Sequence, residues 1–287
     1  MTENSRILLL GCGYVGSVFA QNLARAGHRV TAVVHTQESA AHLTTFPLDC
    51  RVADVTTPEG ARAAVHGKWN AIVFTLSSRG GDYRKTYVEG MHHVLDAVKS
   101  SPPSQILYTS STSVYAQTSG EWVTENDPAE PPHEKGRLLV EAENTLRASG
   151  IPSTILRLTG IYGPTRHALL DQLRTGASVL PGNDSVWINQ IHRDDAAAAL
   201  HFLLEQPPHK GARVFNVTDN EPVLRKDFVT WLCEKLKREP PRFDPEMKSS
   251  HRGRDSQPSR RISNAALRQL GWTPRYANFR EGYQALL

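Results

Sequence analysis

An apolar run, Ile7-Leu8-Leu9-Leu10, leads directly into Gly11-Cys12-Gly13-Tyr14-Val15-Gly16, a GxGxxG turn. Beyond it Val15, Val18, Phe19, Leu23 and Ala26 recur at helical spacing, and Gly27 stands where a helix C-terminal glycine belongs. A β-branched run follows at 29–35. Strand, glycine turn, helix and strand in this order form the opening of a βαβ unit. Each glycine then has a physical role, in that Gly11 permits the tight turn, Gly13 lets the backbone approach a pyrophosphate, and Gly16 lets helix and strand pack closely. The backbone N–H groups of Tyr14, Val15 and Gly16, at the start of the helix, face such phosphates. A lone glycine match can be an incidental turn; this context makes dinucleotide binding the expected use.

The alternation continues. Strands are expected at 6–10, 29–35, 49–53, 71–76, 105–110 and 153–158, with helices at 83–100 and 134–149. After Gly163 the pattern weakens: short helix and loop at 165–186, a helix at 196–205, a strand at 213–217, a helix at 226–237, and a Pro-, Arg- and Ser-rich loop at 239–259. The expected fold is α/β, a doubly wound parallel sheet of Rossmann type with a smaller C-terminal substrate lobe. Residues 1–164 form the dinucleotide-binding domain, and 165–287 mainly the lobe, with 190–217 returning to the main sheet.

Charge narrows the partners. The 33 basic and 29 acidic residues give a net +4 and are interspersed, which argues against nucleic acid. The exception is His251-Arg252-Gly253-Arg254 with Arg260-Arg261, read either as a solvated basic loop or as a contact for a phosphate-bearing ligand. Cys12, Cys50 and Cys233 are too far apart for a disulfide framework or a cysteine zinc site, and no metal is expected. The four-residue apolar run is too short for a signal peptide or a membrane span, so a cytoplasmic protein without membrane contact is expected.

An NAD site ends its second strand with Asp or Glu for the ribose hydroxyls. Here His35-Thr36 occupies that place and the next carboxylate is Glu38, so nothing at the strand end repels a 2′-phosphate. The cofactor is expected to be NADP or NAD, with a slight lean to NADP.

Further motifs resemble the extended and atypical short-chain dehydrogenase/reductases, the NAD-dependent epimerase/dehydratase family, along nearly the whole chain. Ala53-Asp54-Val55 resembles the family's aspartate segment, and Leu107-Tyr108-Thr109-Ser110-Ser111-Thr112-Ser113-Val114-Tyr115 its fifth strand. Arg157-Leu158-Thr159-Gly160-Ile161-Tyr162-Gly163-Pro164 is similar to "RxxNVYGP", Ile191-His192-Arg193-Asp194-Asp195 to "IHVDD", and Leu270-Gly271-Trp272-Thr273-Pro274 to "LGWxP". The resemblance implies cofactor contacts at Asp54, toward the adenine ring, and at Leu76, with Ser111 as the catalytic hydroxyl. It implies an NAD(P)-dependent oxidoreductase or epimerase acting on a hydroxyl or carbonyl of a small molecule, with a nucleotide-linked sugar as one candidate. A homodimer is a candidate assembly. The alternative is an NAD(P)-binding regulatory or sensor protein with little or no catalysis.

The main departure falls on the family's Tyr-x-x-x-Lys pair. Its places are held by His133 and Arg137, judged by the glutamate four residues on, Glu141. Histidine can exchange a proton near neutral pH, whereas arginine can donate hydrogen bonds but not shuttle protons. Both lie on one helix face and are the catalytic candidates beside Ser111. The competing reading makes His133 a residue at the helix start and Arg137–Glu141 an exposed i,i+4 pair worth roughly 0.3–0.5 kcal/mol. Tyr115, Tyr162 and Lys135 are nearby substitutes without the family spacing.

Overall fold

The computed structural model describes residues 4–78, 80–247 and 259–287. Contacts divide the chain into two compact units. One comprises Met1–Tyr115, Ala129–Leu158 and Arg193–Phe215, the other Ala116–Pro128, Thr159–His192 and Asn216–Leu287.

The first unit is built on a seven-stranded parallel sheet. Strands β1 (Arg6–Leu10), β2 (Arg29–Val34), β3 (Asp49–Val52), β4 (Ala71–Phe74) and β5 (Gln105–Ser111) are followed by Ser153–Leu158 and Ala212–Val217. The spatial order is Ala212–Val217, Ser153–Leu158, β5, β4, β1, β2, β3. The chain leaves β1 toward β2 and β3 and returns on its other side at β4. That reversal opens a crevice at the carboxyl ends of β1 and β4, where sheets of this kind bind ligands. Helices cover both faces, so the central strands are almost wholly buried and read as unbroken apolar runs.

Most expected elements are present, and the differences have local causes. The strands expected to reach residues 35 and 76 end at Val34 and Phe74. Beyond Phe74 the Thr75 N–H still donates to the Leu10 carbonyl at 2.9 Å while its hydroxyl donates to the Gly11 carbonyl, so the pairing with β1 runs out at the glycine turn. The helix expected at 83–100 is a π-helical turn, Arg84–Glu89, running into an α-helix, Gly90–Val98. The helix Pro58–Val65, between β3 and β4, adds to the expected elements. Thr57 caps it by accepting from Gly60 N–H at 3.1 Å, with Pro58 at its first position.

Helix Glu134–Ala148 is tied to the sheet by a polar cluster. The Glu143 carboxylate is fully buried and accepts from Ser110 Oγ at 2.7 Å, Arg157 Nε at 3.0 Å, Arg157 Nη2 at 2.7 Å and Arg147 Nη2 at 3.2 Å. Arg157 Nη1 donates to the Tyr115 hydroxyl at 3.0 Å. Burial opposes charge on Arg157, but hydrogen bonding and charge from Glu143, aided by Tyr115, hold its guanidinium above its ordinary pKa.

In the second unit, Gly160–Tyr162 pairs in parallel with Gln190–His192, and helices Ala168–Arg174 and Arg225–Leu236 enclose a core of Leu170, Leu173, Phe228, Leu232, Phe279 and Tyr283. The basic segment His251-Arg252-Gly253-Arg254 lies outside the described residues. Arg260 and Arg261 are structural and not part of a solvated loop. Arg260 is buried and donates to the Gln117 carbonyl at 3.0 Å. Arg261 donates to the Gly120 carbonyl at 2.7 Å, with its guanidinium 5.1 and 5.2 Å from the Trp122 and Trp187 rings. Among the described residues no helix is long and apolar enough to cross a membrane.

The buried cluster sets an expectation for stability. Glu143→Gln removes the charge that compensates Arg157, and breaking one side of such a pair costs about 3–5 kcal/mol. Urea denaturation of the variant should show a loss of that size. A loss below about 1 kcal/mol, the scale of a surface pair, would mean that the cluster does not hold the helix to the sheet.

Candidate active site

The glycine turn occupies the crevice beside β1 and β4. Gly11, at φ +90°, donates its N–H to the Val33 carbonyl at 2.9 Å. A Cβ there would lie 2.9 Å from the Thr75 oxygen, and one on Gly16 would lie 2.5 Å from the Gly11 oxygen and 2.8 Å from Thr75 Oγ1. No side chain fits at either position. The first helical hydrogen bond runs from Ser17 N–H to the Gly13 carbonyl at 2.9 Å, so the N–H groups of Gly13, Val15 and Gly16 have no acceptor within the helix. A bare backbone with helix-terminal N–H groups is a cradle suited to a dinucleotide pyrophosphate. Inside the turn, burial and then nearby Cys50 push the Cys12 thiol up to about 12, which keeps it protonated and unreactive. The Tyr14 ring carries the Arg193 guanidinium 5.2 Å from its centroid.

At the end of β2, two residues read as separate contacts come together. His35 Nδ1 lies 3.6 Å from Asp54 Oδ1, with both side chains exposed. Burial raises the Asp54 pKa, but hydrogen bonds from the Thr56 hydroxyl and N–H, with the charges of His35 and Lys85, outweigh it and hold the carboxyl below its ordinary value. Thr36 caps the short helix Gln37–Ala41 by accepting from Ser39 N–H at 3.1 Å. The place where the sequence offers no carboxylate thus receives one from the end of β3.

The catalytic candidates lie around β5 and the helix Glu134–Ala148. Ser111 ends β5, and its Oγ accepts from Ser113 N–H at 3.1 Å. His133 is the N-cap of the helix, its Nδ1 accepting from Gly136 N–H at 2.9 Å. With Nδ1 an acceptor, the neutral ring carries its proton on Nε2, so in this rotamer it is a hydrogen-bond donor. Gly136 makes this possible, because a Cβ there would lie 2.5 Å from Pro131 Cβ and 2.8 Å from His133 Cε1. Arg137 folds back to donate to the Pro132 carbonyl at 2.6 Å. The expected Arg137–Glu141 pair does not form: Glu141 is held by both terminal nitrogens of Arg84, at 2.9 and 3.1 Å, and this bidentate fork is the stronger arrangement. The three substitutes are engaged elsewhere. Tyr115 is buried against Arg157, Tyr162 stacks on Tyr283 at 4.4 Å in the second unit, and Lys135 Nζ lies 5.0 Å from the Tyr83 ring centroid.

Sequence reasoning missed Tyr83 and Tyr87, whose rings lie 5.0 Å apart at the π-helical turn. Burial, then the neighbouring Tyr83 phenol, push the Tyr87 phenol up, while hydrogen bonding with Ser78 and Ser77 works the other way. These serines follow Leu76 just beyond β4, so Tyr87 fastens the loop beside the glycine cradle. The i,i+4 tyrosine spacing ahead of a helix was the available signal.

A family model described as NAD(P)H-binding matches residues 11–207, beginning at the first glycine of the cradle. The chain belongs to this NAD(P)H-binding family. Its structural neighbours are of the NAD-dependent epimerase/dehydratase group, as the motifs implied. Protein YeeZ of Escherichia coli strain K12 is 30% identical over 247 residues, covering 83% of this chain and 86% of that protein. A Methylobacillus flagellatus structure described as an NAD-dependent epimerase/dehydratase is 32% identical, with a TM-score of 0.82 over 99% of this chain and 98% of that one. UDP-glucose 4-epimerase of Corynebacterium glutamicum is 24% identical over 304 residues, 94% of this chain and 91% of the enzyme.

Calorimetry with the oxidised and reduced forms of NAD and NADP should find binding to at least one by this family member. Gly16→Ala should weaken that binding at least tenfold, about 1.4 kcal/mol, because the added methyl collides with the Gly11 carbonyl and opens the cradle. Unchanged affinity in a folded variant would place the phosphates elsewhere.

Proposed function

We propose that this chain is an NAD(P)-dependent oxidoreductase or epimerase acting on a hydroxyl or carbonyl of a small substrate, with a nucleotide-linked sugar as the first class to test. The observation that carries this reading is the arrangement of three carboxyl ends. In the ladder Leu10 pairs with Phe74, and Phe74 with Tyr108, so the glycine cradle, the Thr75–Ser78 loop and Ser111 all project from one edge of the sheet. The name of the Corynebacterium relative, UDP-glucose 4-epimerase, supports the substrate class.

When bound, the nicotinamide supplies the hydride acceptor or donor. Gly11, Gly13, Tyr14, Val15 and Gly16 would hold the pyrophosphate, and His35, Thr36, Asp54 and Leu76 would line the adenosine end. Asp54 beside His35 supports NAD as strongly as the exposed histidine supports NADP. Ser111 Oγ accepts from Ser113 N–H, and its own proton would be donated to the reacting oxygen. His133 donates from Nε2. For it to accept a proton instead, Nδ1 must give up the cap, which costs about 1 kcal/mol. Arg137, released from the Pro132 carbonyl, would contribute positive charge and hydrogen bonds to the cofactor ribose.

The engagement of His133 and Arg137 with the helix start also supports a second reading, an NAD(P)-binding sensor with little catalysis. A panel of nucleotide sugars and simple carbonyls separates the two. Net redox is followed by cofactor absorbance, and epimerisation, which leaves the redox state unchanged, by product chromatography. With a substrate in hand, Ser111→Ala and His133→Phe should each lower kcat by roughly 10²–10⁴-fold with cofactor affinity nearly intact. Arg137→Ala should weaken cofactor binding. Full turnover by His133→Phe would reduce that residue to a helix cap, and tight cofactor binding without turnover of any substrate would favour the sensor.

A further inference from the structure

Helix Gly16–Arg25 ends in a Schellman motif: Gly27, at φ +82°, donates its N–H to the Ala24 carbonyl at 3.1 Å, and His28 donates its own to the Leu23 carbonyl at 3.0 Å. This motif turns the chain back and buries His28, whose side chain is 4% exposed. Helix Arg193–Glu205 packs on the same part of the first unit. It carries His201 and Glu205, one turn apart on one face. His28 Nε2 lies 3.1 Å from Glu205 Oε1, and the His201 ring stands edge-on to the His28 ring, with centroids 6.4 Å apart. One potential ligand atom from each of the three residues lies within 4.8 Å of the others; among the described residues this is the one such group.

We propose that His28, His201 and Glu205 bind a divalent transition-metal ion of the zinc class. The meeting of two imidazoles and one carboxylate at one place carries the argument. His28 Nε2 already faces the Glu205 carboxylate, and His201, one helical turn before Glu205, brings the second imidazole beside it. An ion there would take the Nε2 lone pair of His28, with the ring proton on Nδ1, and its charge would attract the carboxylate.

Two imidazoles and one carboxylate are a donor set suited to zinc, with a fourth position for water. Metal–ligand bonds of about 2.0–2.1 Å in a tetrahedron put ligand atoms about 3.3–3.4 Å apart. The 3.1 Å between His28 and Glu205 is close to that edge, and the remaining separations close by side-chain rotation. The Glu205 side chain, 35% exposed, gives the ion a route in. No sequence spacing announces the group, because His28 and Glu205 are 177 positions apart. A bound ion would fasten the end of the cradle helix to helix Arg193–Glu205, a structural role separate from hydride chemistry.

The test uses the tag-free, metal-stripped full chain titrated with zinc chloride. One ion per chain should bind, with magnesium giving no heat. His201→Ala and Glu205→Gln should each weaken zinc at least tenfold, whereas Cys50→Ser, at the exposed thiol, should not. Zinc should raise the Tm of the wild type and leave that of His201→Ala unmoved, and cobalt should give visible ligand-field bands that His201→Ala loses. Circular dichroism confirms that each variant is folded. Absence of zinc binding by the folded wild type, or wild-type affinity in folded His201→Ala, would overturn the proposal and leave the three residues as a helix-to-turn contact.

Discussion

The first unit depends on how closely the end of β1 approaches the segment after β4. Gly11 and Gly16 leave no room for a Cβ, and the Thr75 hydroxyl fills the space by bonding to the Gly11 carbonyl. One contact therefore joins the strand, the helix that follows it and the neighbouring loop. It sits at the point where the sheet reverses its direction of growth, so packing itself exposes helix-terminal N–H groups at the mouth of the crevice. A side chain at either glycine would disturb packing and anion binding together.

A second constraint fixes the other wall. Glu143, wholly buried, bridges Ser110 on β5 and Arg157 on Ser153–Leu158 from the helix whose first turn His133 caps. Ser110 precedes Ser111, so the cluster sets where the candidate hydroxyl stands relative to that helix. Removing the carboxylate would leave the guanidinium charged in a dry interior, which is why this pair specifies geometry more than it adds stability. The cap on His133 works at closer range: Gly136 admits the imidazole over the helix start, and the acceptor role of Nδ1 fixes which nitrogen carries the proton.

Much of this was legible in the sequence because it rests on local rules. The glycine turn between an apolar run and a helical period indicated the cradle, and short β-branched or aliphatic runs alternating with helical patterns indicated a parallel sheet. The remainder depends on contacts between distant residues. His35 and Asp54 meet because β2 and β3 are neighbours, and Glu141 pairs with Arg84 and not with Arg137 four positions away. The short helix Pro58–Val65 was not among the expected elements, and it contains Gly60. In the structure that glycine sits where a Cβ would lie 2.0 Å from the Asp54 carbonyl, so it is required by the close approach.

The central claim is that the cradle and the candidate catalytic side chains serve one bound nicotinamide. A crystal structure of the chain grown with NAD(H) or NADP(H) measures this directly. The account predicts the pyrophosphate over the N–H groups of Gly13 to Gly16, with Ser111 Oγ and His133 Nε2 both directed at the reactive carbon's side of the nicotinamide. A cofactor bound away from the glycine turn, or a nicotinamide out of reach of both side chains, would contradict it.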